Sequence, residues 1–255
     1  MDAVAPAPFS PWRAYLLEAR YEFLRLLRTP SFSLPCLSFP PLFYLLFGVL
    51  LGGRNGSTAV AHYLLAGYGV FGTMGVALFG FGVTVALDRE QGLLTLKRAQ
   101  PMPPGAYLAA KMAMAMLFSS IVLLLLAALA VGVAGVRLPP AQWLGLALAV
   151  LSGALPFSAL GLWLGTLVGG RGAPALINLV YLPMALLSGL WVPLSVLPSA
   201  LQALAPLWPA YHVAQLAQKV VGVDAGGSPA LHVAVLIAVA TACFVLARRR
   251  LYAAA

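Results

Sequence analysis

Apolar residues run along this chain in long unbroken stretches, with polar positions gathered into short interruptions between them. Six stretches stand out: 31–52, 61–87, 106–135, 142–168, one opening near Ala173 ("APALINLVYLPMALLSGLWV") and 229–247. About 20 apolar residues suffice for a helix to cross a bilayer. Lipid offers no hydrogen-bond partner, so a crossing segment must satisfy its backbone internally. Continuous rather than alternating apolar positions then predict helices and exclude a barrel. The expected fold is all-α and integral to a membrane, with six transmembrane helices in one domain over 1–255.

The first 30 residues follow a different pattern. At 100° per residue, Trp12, Tyr15, Leu16, Ala19, Phe23, Leu26 and Leu27 fall in one stripe. Arg13, Glu18, Arg20, Glu22, Arg25 and Arg28 occupy the rest of the circumference. That spacing predicts an amphipathic helix over 10–29, suited to lying in a headgroup region, with Pro11 and Pro30 marking its limits. The four arginines precede an apolar run too long for a signal-peptide core, so no cleavable leader is expected.

Composition agrees with the pattern. The chain of 255 residues is 62% hydrophobic and 8% charged, with a mean hydropathy of +0.96. A soluble domain carries about 25% charged residues. With the N-terminus placed inside, the inner segments hold 12 of the 15 Lys and Arg residues, and Arg54, Arg137 and Lys219 remain outside. This asymmetry predicts both termini in the cytoplasm of a cell whose inner membrane the chain crosses repeatedly. The net charge of +9 reflects this bias. No basic patch is interleaved with aromatics, so nucleic acid is not an expected partner.

One interruption is unusually charged. "LDREQGLLTLKRAQPMPPGAYLAAKMAMAM" (87–116) holds six of the 21 Asp, Glu, Lys and Arg residues, two glycines and three prolines. Such charges could not sit in lipid cheaply, at roughly 2.5–3.5 kcal/mol each. The segment 88–104 is therefore expected in the cytoplasm. "DREQGLLTLKRAQ" has the length of a short helix, with acids at its start and bases at its end as a helix dipole favours. Gly92 would cost that helix about 1 kcal/mol relative to Ala. Leu93, Leu94 and Leu96 would give it an apolar side, so it looks built for docking. Lys111 is expected to snorkel from the next span.

This segment resembles the loop between spans two and three of type-2 ABC transporter permeases. In those proteins an acid–Arg–Glu group precedes Gly, a short helix, a Pro and a basic residue opening the next span. "LLSGLWVPLSVLPSALQALAPLWPAYHVAQLA" is similar to the family's end of span five, with its outer pair of hydrophobic helices and Pro-rich return. The outer loop is accordingly expected over 192–228, with short hydrophobic helices. The sequence departs from the family pattern at Leu93–Leu94–Thr95 and at Lys97, where acids are common. The resemblance implies an exporter subunit driven by ATP hydrolysed elsewhere, and a path with few charges favours a hydrophobic or amphiphilic cargo such as a drug, a lipid or a lipid-linked molecule. It implies two cytoplasmic ABC ATPase copies and a second permease as partners. It assigns coupling to Asp88, Arg89, Glu90, Gly92, Leu93, Leu96 and Pro101.

Other residues sharpen or narrow this reading. No G-x-x-x-x-G-K-[ST] loop occurs, and "GGRGAPAL" lacks its Lys and hydroxyl, so ATP and magnesium are expected on the partner and no cofactor on this chain. Gly169–Gly172 reads instead as a tight turn. Phe71 and Met74 of the second run, with Asn178 and Tyr181 of the fifth, are the candidate substrate path or dimer seam. The pairs Gly48/Gly52, Gly161/Gly165 and Gly165/Gly169 have the spacing that lets helices approach closely, within the chain or between copies. Cys36 and Cys243 lie inside predicted spans, which argues against a disulfide framework. His62, His212 and His232 are scattered, without a carboxylate partner, and suggest no metal site. Asp224 reads as a solvated loop residue. No nucleophile–base motif or intramembrane carboxylate pair suggests an enzyme. A secondary transporter or channel is the alternative, but it would ordinarily need ionisable residues at mid-span, and none occur there.

Overall fold

The computed structural model describes residues 10–50, 58–99, 103, 105–224 and 226–253. Within them the chain is all-helical, as the apolar pattern predicts. Helix α1 (Pro11–Leu27) is followed after a two-residue break by α2 (Pro30–Leu50), then by α3 (Thr58–Glu90). A short α4 (Leu93–Ala99) leads to α5 (Ala106–Gly132) and α6 (Pro140–Gly165). After a turn come α7 (Ala173–Leu187), α8 (Ser199–Leu204), α9 (Pro209–Val220) and α10 (Pro229–Ala253).

Five of these, α2, α3, α5, α6 and α10, are long and apolar enough to cross a bilayer. The expected fifth span is realised as α7, an apolar helix of only 15 residues. Its chain stops short at Ser188–Gly189, where Gly189 takes φ +73.

Helix α3 is the axis of the bundle. Every residue from Leu64 to Ala77 is buried, with α5, α6, α2 and α9 packed round it. Its glycines supply the space. A Cβ on Gly165 of α6 would lie 2.4 Å from the Gly82 carbonyl oxygen, and one on Gly82 2.7 Å from that of Gly161. The Gly161/Gly165 pair is thus used within the chain, to seat α6 against α3.

Three helices depart from regular geometry for identifiable reasons. In α2, Pro40 and Pro41 lack the N–H that would bond the carbonyls one turn back, and the helix widens into π geometry over Tyr44–Leu50. Helix α6 bends at Gly153, where Pro156 leaves the Ser152 carbonyl without its helical donor. Helix α3 widens over Leu78–Val83, and the Thr84 hydroxyl donates back to the Gly80 carbonyl in compensation.

The charged segment differs from its sequence reading. Asp88, Arg89 and Glu90 complete α3; they do not open the short helix. Gly92 stands in the left-handed region at φ +70 and separates α3 from α4. A residue with a Cβ would be strained there, so Gly92 ends a helix where the sequence pattern had placed it inside one.

Candidate functional site

At the charged end of the bundle, α1, α3 and α5 meet over a buried ion network. Lys111, one turn into α5, is fully buried. Its ammonium donates to the Glu22 carboxylate of α1 and to the Thr84 hydroxyl at 2.7 Å, and lies 3.3 Å from Asp88. Asp88 also accepts from the Arg25 guanidinium at 2.8 Å and from the Tyr107 hydroxyl at 2.7 Å. Glu22 stands 3.7 Å from Arg25 as well. Two acids and two bases therefore neutralise one another, with Glu22, Asp88 and Lys111 buried and Arg25 closing the network from the solvent side.

Helix dipoles set part of this arrangement. Asp88 near the C-terminus of α3 and Lys111 near the N-terminus of α5 each sit at the unfavourable end of their own helix. Each lies beside the favourable end of the other's, so the pairing draws the two helix ends together. Burial works against the charge of Arg25, but Asp88 more than restores it and holds the guanidinium above its ordinary value. The expected snorkelling of Lys111 does not occur. Glu22, assigned by the helical wheel to a polar outer face, instead points inward.

Helix α4 joins this junction at its edge. Lys97 pairs with Glu18 of α1, and the ammonium groups of Lys97 and Lys111 lie 4.8 and 4.9 Å from the centre of the Tyr107 ring. Leu96 is 60% exposed, while Leu93 is half-buried. Pro101 lies outside the described residues. Between α1 and α4 a cleft of about 400 Å³ is lined by Glu18, Tyr21, Glu22, Arg25, Arg28 and Lys97. Trp12 and Leu16 on the other side of α1 are also exposed.

The remaining charged residues of this end hold a different element. Arg89 donates to the carbonyls of Thr166 and Val168, each at 2.9 Å, and Glu90 accepts the Gly170 N–H. Gly169–Gly172 form the tight turn that the sequence suggests, closed by the Gly172 N–H donating to the Gly169 carbonyl at 3.1 Å.

Of the candidate path residues, Phe71 and Tyr181 are brought together. Their rings stack at 4.9 Å, and the Tyr181 hydroxyl donates to the Phe71 carbonyl at 3.3 Å. Trp191 meets Phe71 edge-on at 5.4 Å and Phe79 meets Tyr181 at 5.6 Å, extending the cluster by two residues that sequence reasoning missed. Met74 is buried. Asn178 stands apart, exposed on the outer face of α7 beside the 71%-exposed Leu179.

At the other end of the bundle, two scattered histidines prove to be neighbours. His212 and His232 face one another with their Nδ1 atoms 2.9 Å apart, and His212 Nε2 lies 2.9 Å from the Pro206 carbonyl. Donation from His212 Nε2–H to Pro206 leaves its Nδ1 to accept from His232 Nδ1–H. Asp224 is tethered rather than simply solvated. It accepts from Lys219 at 2.6 Å and from the Gly226 N–H at 3.0 Å, and the Lys219 hydrogen bond holds its carboxyl below the ordinary range. Among the described residues, no group of three or more His, Cys, Asp or Glu could hold a metal ion.

Bilayer-length helices gathered round α3, with a polar junction built on one end, define a multi-pass membrane protein. The chain belongs to the ABC-2 type transporter family, whose family model matches residues 13–221. It is 32% identical over 213 residues to a protein of Bacillus subtilis (strain 168) named "Putative transport permease YvfS", covering 82% of this chain and 84% of that one. It is thus a transport component rather than a catalytic domain, of a family that normally works with an ABC ATPase.

Proposed function

We propose that the chain is the permease subunit of an ATP-driven exporter, in a complex of two permeases and two separate ATPases. ATP and magnesium belong to the ATPases, and this chain binds no cofactor. The junction of α1, α3, α4 and α5 is the observation that carries this reading. It ties a short, partly exposed helix to the ends of two long ones through a neutral network. The cleft beside it carries acids, bases and an exposed tyrosine suited to a protein partner.

The inner-segment excess of basic residues supports placing this junction, and both termini, on the cytoplasmic side of the inner membrane. Closure of the ATPases on ATP displaces α4 and α1 together, because Lys97–Glu18 joins them, and the buried network carries the displacement from α1 to α3 and α5. The displacement biases the bundle between inward- and outward-facing packings. Asn178 supports a seam between copies: an amide on the lipid-exposed face of an apolar helix is costly unless a second helix satisfies it. The aromatic cluster of Phe71, Phe79, Tyr181 and Trp191 suits a hydrophobic or amphiphilic cargo leaving the cytoplasm or inner leaflet.

Reconstitution tests the proposal. The purified chain alone is expected to show no ATP turnover. With its ATPase it forms a two-plus-two complex that moves an amphiphilic probe only when ATP is hydrolysed. Robust ATP hydrolysis by the isolated chain, or probe movement that ignores ATP, refutes it. A reporter fused after Ala255 should be active only in the cytoplasm.

A further inference from the structure

The family resemblance assigns Glu90 to the joint with an ATPase, yet its carboxylate accepts a backbone N–H of this same chain. Gly170 supplies it, in the turn between α6 and α7. The neighbouring Arg89 spreads its guanidinium across two carbonyls of the same connection, Thr166 and Val168, at 2.9 Å each. The two carbonyls belong to the C-cap of α6 and to the connection just beyond it, and a planar fork matches two of them better than a point charge could. Its positive charge also meets the negative end of the α6 dipole.

Steric fit reinforces the hydrogen bonds. A Cβ on Gly170 would lie 2.5 Å from Leu87 Cδ2 and 3.0 Å from both Leu87 Cα and Glu90 Oε2. The turn is thus pressed onto the last turn of α3, and only a glycine fits. Helix α7 begins three residues later, at Ala173, and carries Asn178 and Tyr181. Helix α4 hangs from the same end of α3 through Gln91 and Gly92 alone.

We propose that Arg89 and Glu90 are positioning residues that strap the α6–α7 connection to the end of α3, so that one stroke moves α3 and α7 as a unit. This rests on the exporter reading above and deepens it. The stroke entering at α4 does not have to cross the bundle to reach the aromatic cluster. It arrives at the base of both helices that build the cluster, α3 through Phe71 and Phe79, and α7 through Tyr181.

The test uses nitroxide pairs at the exposed positions Gln91 and Arg171, in a full-length chain with Cys36 and Cys243 replaced by serine. In the permease alone, in lipid nanodiscs, electron–electron resonance should give a narrow distance distribution. Glu90→Ala and Gly170→Ala broaden it, while Glu90→Gln, whose amide oxygen still accepts the N–H, largely preserves it. In the complex with the ATPase, trapping with ATP and vanadate leaves the wild-type distribution in place. There, Glu90→Ala hydrolyses ATP within about twofold of wild type but transports about tenfold less, with Glu90→Gln rescuing most of the loss. An unchanged distribution in Glu90→Ala overturns the proposal. So does a shift of several ångströms on trapping in the wild type, or a loss of transport and hydrolysis in equal proportion. The nanodisc measurement needs no ATPase. If no ATPase supports transport, the exporter reading fails while the strap is still decided.

Discussion

Replacing Lys111 by Met removes the one ammonium that the buried network cannot do without. The side chain volume is nearly kept, so the change is electrostatic rather than a cavity. Lys111 and Asp88 are fully buried and Glu22 is 4% exposed, whereas the Arg25 side chain is 39% exposed and already engaged. The variant leaves two buried carboxylates sharing one half-solvated cation. Removing one partner of a buried pair costs about 3–5 kcal/mol, because the surviving charge loses its compensation. For a chain of this size that is a fall on the order of 10 °C in the midpoint of thermal unfolding. The assay is the melting of purified permease in detergent, followed by tryptophan fluorescence. A second variant separates charge from packing. Lys111→Met combined with Glu22→Gln removes one charge of each sign and keeps the Asp88–Arg25–Tyr107 set, so it should regain about 2 kcal/mol. If Lys111→Met melts within about 2 °C of wild type, or the double variant is worse than the single, the network is not what holds these helix ends together.

Leu96→Asp, on the exposed side of α4, should leave folding and membrane insertion unchanged while weakening ATPase binding and export. Arg13→Ala on the exposed side of α1 is the mild control, and equal behaviour of the two in reconstituted transport would show that α4 is only a tether. Asn178→Cys in a chain otherwise free of cysteine should cross-link between copies with a short bis-maleimide, whereas Leu124→Cys, on the 69%-exposed face of α5, should not; equal yields would remove α7 from the seam. The Asp224 carboxyl is held below its ordinary range by Lys219, so the tether is fully present above about pH 4 and is lost as pH falls through the lowered value. Protection of amides 221–224 and 226–228, taken relative to the intrinsic exchange rate at each pH, should therefore fall as pH drops through that range in the wild type, with no such step in Asp224→Asn.

The long helices were legible because apolar run length alone specifies them, and five of the six runs became helices of crossing length. The boundary at 88–92 was misjudged through one residue. Gly92 was weighed as a cost inside a helix, although a glycine just past a helix end is also the usual left-handed terminator. Its neighbours therefore changed helix, and the acids moved from a favourable dipole end to an unfavourable one. Glu22 and Lys111 were misplaced for a related reason. A helical wheel sorts residues by polarity, but a polar residue can face inward when its partner lies 89 positions away. Pairings of that range leave no periodic trace. The same holds for His212 and His232, joined only because α9 packs against α10. The stacking of Phe71 on Tyr181 was anticipated only as membership of one region, not as a contact.

The brevity of α7 has a consequence for the membrane itself. Fifteen residues rise about 22 Å, against a hydrocarbon thickness of about 30 Å. Beyond Leu187 the backbone turns irregular, and it is received by α3 rather than by lipid. The Tyr63 hydroxyl donates to the Gly189 carbonyl, and the Leu190 carbonyl packs where Gly67 has no side chain. Peptide groups that lipid could not solvate are thus held at a depth that a full-length span would have filled with side chains. A helix several ångströms shorter than the hydrocarbon is poorly matched to lipid on its outward face and is better covered by a helix of a second copy, in keeping with the proposed seam.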